Sequence, residues 1–500
     1  MVRTAFLAGG LIALALMGRA DIAHAQSVDP RAARAEAFIA RSLDTLGVVP
    51  GIAVAVVVGE EVVYLTGHGV ADVRIGTPVD ADTRFYIASS TKPMVALAIA
   101  ALDARGDVDL DAPVGEWSDA GLPSDIATGV SLTDLLSHHA GVENDALTFR
   151  LAYSGDHSAS VRRDLVASTI WDDDTPHGQF RYSNVGYNLA TTLIEAESGL
   201  DWRDLVGREV LGPLGMTATT PWIEAERGRA SVAVGHFGHL PGGPVVAVLQ
   251  KTDQTMHSAG GLVASARDMT RWLEIQLTDG VLDGQRIFPA GLVASTHQTR
   301  VATDATFGPY TRLGYGLGWY VGRYGDQTLI HHFGNFGGSR AHVSFMPERG
   351  IGVVVLINED AVAGGFADIV ANYLYDLYGG RPDVDAIFDA EVAALAERIE
   401  DLRPRIAADV EARRTRPWRL DHPMASYVGV YESPAMGRLY VGSTGDGLIL
   451  SIGVLSAEAE PFTAPNSLRV ELIPLRGEVL TFDGTDRLTY GGVVFERRRP

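Results

Sequence analysis

Lysine is nearly absent from this 500-residue chain: only Lys92 and Lys251 occur, and arginine carries almost all of the positive charge. Arginine cannot shed its proton inside a protein, whereas burial and neighbouring cations can drive a lysine to the neutral amine. Lys92 is therefore a candidate proton acceptor. Ser89 stands three residues earlier, in Ala88-Ser89-Ser90-Thr91-Lys92-Pro93, and Met94, Val95, Ala98, Ile99 and Leu102 continue as an apolar helix. Residues at i and i+3 share a helical face, so the Ser89 hydroxyl and the Lys92 amine can meet while Ser90 faces elsewhere. A serine in the first turn also feels the positive end of the helix dipole, and Pro93 is tolerated where no intrahelical donor is lost. Taken alone the motif is weak. At ordinary serine frequency one of two lysines would have a serine three places before it about one time in ten.

Tyr182-Ser183-Asn184 forms a second cluster, in a loop after Phe180-Arg181 and just before a helix that opens at Tyr187. A phenol beside Lys92 could relay protons and Asn184 could orient substrate. A loop tyrosine packed on the helix, with Asn184 as an N-cap-like residue, explains the same letters. The third cluster is His331-His332-Phe333-Gly334-Asn335. Adjacent residues on a strand point to opposite faces, so only one histidine can reach a cleft, and Gly334 assigns the motif to His332. A packed strand histidine is the alternative. The pairs His138-His139 and His331-His332 lack the spacing and carboxylate partner of a metal site, so neither a metal nor a cofactor is expected.

The elements that must position these groups follow from periodicity. Residues 31 to 46 set Phe38, Ile39, Leu43 and Leu46 on one helical face, and Pro50-Gly51 leads into the apolar strand Ile52 to Val58, then Val62 to Thr66. Far downstream, Ala341 to Met346 and Gly350 to Ile357 pair around Pro347-Glu348-Arg349, followed by a helix carrying Phe366, Ile369, Val370, Tyr373 and Leu377. The middle, about 89 to 280, reads mainly as helices and loops, with helices at Met94 to Leu102, Leu132 to Ser137, Tyr187 to Ser198 and Ala266 to Leu277. Residues 383 to 406 predict an amphipathic helix kinked near Pro404 that links two domains. Beyond Pro423, short β-rich runs at Tyr427 to Tyr431, Leu439 to Val441, Leu448 to Ile452, Leu468 to Ile473, Val479 to Phe482 and Val493 to Glu496 predict a small antiparallel barrel or sandwich.

An apolar fraction of 46% is ample for real cores, and the length suits two or three folded units. The net charge of -21, with no basic cluster beyond Arg497 to Arg499, argues against nucleic acid as a partner. With no cysteine, disulfides, thiolate chemistry and acyl-cysteine anchors are excluded. Arg3, the apolar run Ala5 to Met17 and Ala23-His24-Ala25 read as a secretory signal cleaved after Ala25, and the run is too short for a membrane span. A periplasmic or secreted location follows as the expectation.

Ser89-x-x-Lys92, Tyr182-x-Asn184 and His332-Phe333-Gly334, in this order and spacing, resemble the serine β-lactamase and penicillin-binding superfamily, closest to its class C, D-aminopeptidase and family VIII esterase branch. The resemblance covers most of residues 35 to 378, including Leu132 to His138 and Ala259-Gly260-Gly261-Leu262. It implies an acyl-enzyme on Ser89, proton handling by Lys92 and Tyr182, a site-lining strand at His332, and an oxyanion hole from the backbone N–H groups of Ser89 and Asn335. One such donor is typically worth ~10²–10³ in rate. Asn184, His332, Gly334 and Asn335 are thus the expected substrate-binding and oxyanion residues. One departure matters: where lactamases carry Lys, then Thr or Ser, to hold the substrate carboxylate, this chain has His332 and Phe333, which weakens a lactamase reading. The C-terminal segment resembles, in pattern, the lipocalin-like domain attached to several such proteins.

The expected fold is therefore α/β (α+β), an antiparallel sheet flanked by terminal helices with a helical insertion, plus a small all-β barrel. Its parts are a signal at 1–25, a hydrolase domain at 26–380, a helical linker at 381–420 and a β domain at 421–500. The expected activity is hydrolysis of a small-molecule or short-peptide substrate, with a family VIII-type carboxylesterase, a weak β-lactamase and a non-hydrolytic cell-wall-peptide sensor as alternatives. A homo-oligomer is compatible with this reading.

Overall fold

A computed structural model describes residues 29–226 and 231–498; the expected signal segment lies outside the described residues. The catalytic region is built on a nine-stranded antiparallel sheet. Its strands are β1 (Gly51–Val58), β2 (Glu61–Asp72), β3 (Thr77–Pro78), β4 (Val301–Phe307), β5 (Tyr310–Tyr315), β6 (Tyr320–Tyr324), β7 (Gln327–Phe336), β8 (Ser339–Met346) and β9 (Ile351–Ile357). They lie in the order β4-β5-β6-β7-β8-β9-β1-β2-β3, so the two ends of the region meet where β1 pairs with β9, Ile52 opposite Ile357. β1 is apolar at nearly every position because both of its faces are covered. Ala53, Ala55 and Val57 enter one core, while Ile52, Val54 and Val56 enter the other.

The second core holds the helices α1 (Pro30–Leu46), α6 (Gly365–Tyr378) and α7 (Val384–Arg414) against the sheet, with Phe38 stacked on Tyr373 at 3.9 Å. The first core holds the helical insertion: α2 (Lys92–Ala104), α3 (Leu132–Leu136), α4 (Val185–Ser198) and α5 (Ala266–Leu277). Every residue of α2 from Lys92 to Leu102 is buried, which is why its sequence is apolar around its whole circumference.

The expected C-terminal barrel is present, and the structure departs from the expected elements in three places. The three strands between 301 and 324 carry no sustained alternation of apolar and polar residues, with β4 exposed along most of its length, and the pattern misses them. The helix expected over 383–406 continues to Arg414 with Pro404 inside it. Its first half is part of the core through Val384, Phe388, Val392, Leu395 and Ile399, so it packs on the catalytic region as well as leading to the next. The C-terminal strands close into an eight-stranded barrel: β10 (Gly429–Ser433), β11 (Gly437–Ser443), β12 (Leu448–Ile452), β13 (Leu455–Pro461), β14 (Ser467–Ile473), β15 (Arg476–Asp483), β16 (Arg487–Tyr490) and β17 (Val493–Arg497). β13 and β16 were not expected, being rich in polar residues that face outward. Closure removes the exposed edges that a sandwich would leave.

The barrel is seated on the catalytic region. Its apolar interior joins a cluster that includes Ala88, Phe149, Met256 and Phe336, and the Val454 N–H donates to the Ser154 carbonyl at 2.8 Å. Among the described residues no helix is long and apolar enough to cross a membrane.

Candidate active site

Ser89 lies in a 3₁₀ turn, Ala88–Thr91, that runs directly into α2, rather than inside the α-helix itself. Ala88, immediately before it, has φ of 45°, a strained value for a residue with a side chain. The turn is stapled to β7, because the Ser90 hydroxyl donates to the His332 carbonyl at 3.0 Å, so Ser90 indeed faces away from the cleft. Gly334 permits that approach: a Cβ at this position would run into the Ile87 carbonyl oxygen and lie 2.9 Å from the Ser89 nitrogen. Strand β7 thereby brings Asn335 to the same cavity as Ser89.

Lys92 is fully buried, and its amine meets three oxygens: Ser89 Oγ at 3.1 Å, Asn184 Oδ1 at 2.8 Å and the Ala259 carbonyl at 2.7 Å. Desolvation holds its pKa well below the usual lysine value. The neutral amine fits these partners. Two N–H bonds serve the two pure acceptors, Asn184 Oδ1 and the Ala259 carbonyl, and the lone pair is left for the Ser89 hydroxyl proton. Asn184 stands at the N-cap position of α4, yet its side chain makes no capping bond and serves Lys92 instead.

Tyr182 keeps 37% of its surface open to the cleft, but its hydroxyl meets Ser89 and its ring lies 4.9 Å from the Lys92 amine. Burial of the phenol, only partly offset by the Ser89 hydrogen bond, holds its pKa above the usual tyrosine value. Of the two groups that meet Ser89, Lys92 is the one whose proton burial loosens, and Tyr182 is a protonated phenol, able to donate to a departing group.

His332 occupies a different place from the one its motif suggests. It is buried, does not line the cavity and stands behind Tyr182, with ring centroids 5.9 Å apart. It ends a hydrogen-bond chain that sequence reading did not find. The Ser183 N–H reaches His138 Nδ1 at 3.3 Å, His138 Nε2 meets the Tyr315 hydroxyl at 3.2 Å, that hydroxyl meets His332 Nε2 at 3.1 Å, and His332 Nδ1 meets the Phe333 carbonyl at 2.9 Å. The terminal partners fix the direction: His138 donates from Nε2, Tyr315 donates onward, and His332 donates from Nδ1. Each imidazole accepts at one nitrogen, so both are neutral, and burial pushes both pKa values well down. The chain ties the Tyr182–Asn184 loop to β7. His331, by contrast, accepts from Arg312 Nε at 3.1 Å and stacks on Tyr320, and His139 pairs with Asp134 at 2.8 Å, so neither adjacent pair converges. The adjacent pair His138-His139 marks the residue in the sequence, but only the fold brings Tyr315 to His138.

The cavity over Ser89 measures about 340 Å³. Tyr153, Met256 and Phe336 supply apolar wall, Asp360 lies on the β7–β8 side, and Ile473 to Arg476 from the β14–β15 turn of the barrel also line it. A serine hydroxyl beside a buried, desolvated lysine and a protonated tyrosine, opening on a partly enclosed cavity, is the arrangement of a serine hydrolase of the acyl-enzyme type.

Comparison with known proteins agrees with this class. The Beta-lactamase family model matches residues 39–374, and the chain belongs to that family. Among curated relatives, the Unguisins hydrolase ungD' of Aspergillus campestris is 27% identical over 417 residues, which are 79% of this chain and 74% of the relative. Among solved structures, an octameric penicillin-binding protein homologue from Pyrococcus abyssi shares the fold, with a TM-score of 0.59 and 22% identity over 93% of this chain and 99% of its own. A D-amino acid amidase from Ochrobactrum anthropi aligns with a TM-score of 0.56 and 25% identity over 70% of this chain and 97% of its own.

Proposed function

We propose that this protein is an exported hydrolase that cleaves small peptides or amides through an acyl-enzyme on Ser89. The observation that carries the chemistry is the Lys92 amine, buried, desolvated and 3.1 Å from Ser89 Oγ. Lys92 takes the hydroxyl proton as Oγ attacks the substrate carbonyl carbon. The oxyanion that forms lies against the N–H groups of Ser89 and Asn335. Collapse breaks the bond to the leaving nitrogen, which takes a proton from the Tyr182 and Lys92 pair, and water then releases the acyl group.

A cavity of about 340 Å³ lined in part by the barrel turn suits a short acyl compound better than a polymer. A hydrolase and an amidase among the similar proteins favour the amide reading, and a homo-oligomer is compatible with the octameric state of the Pyrococcus homologue. Export rests on the apolar N-terminal segment ending in Ala23-His24-Ala25. The same residues would serve an ester, which is the second reading. Strand β7 offers no Lys–Thr pair for a lactam carboxylate, so β-lactamase activity ranks last.

The test compares the protein with Ser89→Ala on D-alanine p-nitroanilide, a short-chain p-nitrophenyl ester and a chromogenic cephalosporin. Turnover that disappears with Ser89 supports the acyl-enzyme, and the order of kcat/KM chooses between amide and ester. Turnover that survives Ser89→Ala would refute it.

A further inference from the structure

Strand β7 presents no cation to the cavity: His332 is turned to Tyr315, and Phe333 packs against His331 and His342. A cation reaches the cavity from another part of the chain. Among the described residues that line it, only Asp360 and Arg476 carry an acidic or basic side chain, and Arg476 belongs to the barrel. Arg413, Arg438, Arg469 and Arg498, on or against the barrel, all hold carboxylate partners. Among the described residues Arg476 has no ion pair; its Nη1 lies 3.4 Å from the Tyr153 hydroxyl and its guanidinium 5.8 Å from that ring.

The turn that carries Arg476 is braced. Leu475 adopts φ of 64°, in the left-handed region, and its N–H is held by Glu471 Oε2 at 3.3 Å. Glu471 is gripped by Arg469, which also reaches Glu460 at 3.0 Å. The residue after Arg476 is Gly477, where a Cβ would overlap the Arg469 guanidinium. A strained tip held by a buttress of side chains is a fixed presentation of its neighbour, and strain of this kind collects where a ligand is met.

We infer that Arg476 is the carboxylate-binding residue of the catalytic cavity, supplied by the barrel to pair with a free carboxylate on a short acyl substrate whose scissile carbonyl lies at Ser89. The inference rests on the proposed function and narrows its substrates to those carrying such a carboxylate. Asp360, held against Asn335 and Gly338 on the β7–β8 side, supplies no cation, so Arg476 is the lining group that can pair with a carboxylate. The barrel then has a chemical role: it replaces the anchor that the third motif lacks.

The experiment titrates the full-length Ser89→Ala protein by calorimetry with N-acetyl-D-alanyl-D-alanine and with its C-terminal amide, and with the L,L pair. The nucleophile is gone, so the probe is not consumed. A charge-assisted pairing in a partly closed cavity makes one acid bind about 10–100-fold tighter than its amide. Adding Arg476→Gln brings the acid down to the amide's level, and Arg476→Lys recovers part of the difference as a point charge. Equal binding of acid and amide in both pairs, no binding by any of them, or equal loss for both in Arg476→Gln would overturn the inference. Turnover of the neutral p-nitrophenyl ester separates the two claims. Ser89-dependent turnover with no preference for the acid leaves the chemistry standing and removes the anchor, whereas a clear preference without turnover removes the chemistry and leaves the anchor.

Discussion

Replacing Lys92 by arginine separates a base from a charge. Arginine supplies the N–H donors that Asn184 Oδ1 and the Ala259 carbonyl require at 2.8 and 2.7 Å, but it cannot become neutral. The other titratable group that meets Ser89 is Tyr182, which burial keeps protonated, so it cannot take over as the resting base. Loss of a positioned general base lowers the rate by ~10²–10⁴, about 2.7–5.4 kcal/mol at 1.36 kcal/mol per decade. The larger side chain also enters a fully buried site, and overpacking costs about 1–3 kcal/mol of stability, so the variant is compared below its own melting transition with circular dichroism confirming the fold. The assay is kcat/KM on a short-chain p-nitrophenyl ester from pH 5 to 10. In the wild type kcat/KM climbs with pH as Lys92 loses its proton, with a midpoint below that of an ordinary lysine because desolvation disfavours the ammonium. In Lys92→Arg both the level and this climb are lost. A variant retaining activity within tenfold of the wild type, with the same pH profile, would refute the lysine mechanism and transfer the base to another group.

Three further perturbations bear on the site. Tyr315→Phe leaves His138 Nε2–H and His332 Nε2 without their partner, each an unsatisfied buried group worth ~1–3 kcal/mol; a lower Tm is expected, together with a kcat reduced about tenfold at unchanged KM as Tyr182 loses its backing, and an unaltered kcat would show the chain to be structural only. Gly334→Ala drives a methyl into the Ile87 carbonyl and against the Ser89 nitrogen, so kcat should fall by ~10² at closely similar substrate affinity, the effect of disturbing one oxyanion donor; wild-type kcat would remove Gly334 from the site's design. Asp360 has a pKa raised to about 7 by burial, with the neighbouring Glu359 adding to the rise. The folded state then binds a proton that the unfolded chain has released, so stability falls as pH rises from ~4 to about 7. Asp360→Asn should flatten this fall, giving a higher Tm than the wild type at pH 8 and an equal one at pH 4. Parallel Tm curves for the two proteins would contradict the assignment.

How much of this was legible beforehand depends on how far apart in sequence the contacts lie. The spacing of Ser89 and Lys92 spans one helical turn, so covalent geometry alone brings them to one face, even though the serine sits in a 3₁₀ turn. Strand β1 and helices α2, α4 and α5 were readable because a continuous or periodic apolar run is the direct record of burial. Strands β4, β13 and β16 escaped because their outward residues face solvent and little in their own letters distinguishes them from loop.

The sequence by itself determined the family pattern and the pairing of Ser89 with Lys92, since each depends on residue type and local spacing. Tertiary structure decided the rest. It settled which histidine joins the chain behind Tyr182, because strand register and the Tyr315 hydroxyl, 17 residues away, set that choice. It also decided that Arg476, 387 positions after Ser89, shares its cavity, because closure of the barrel and its seat on the catalytic region carry the β14–β15 turn there. Contacts between distant segments are written in packing, and no local pattern records them.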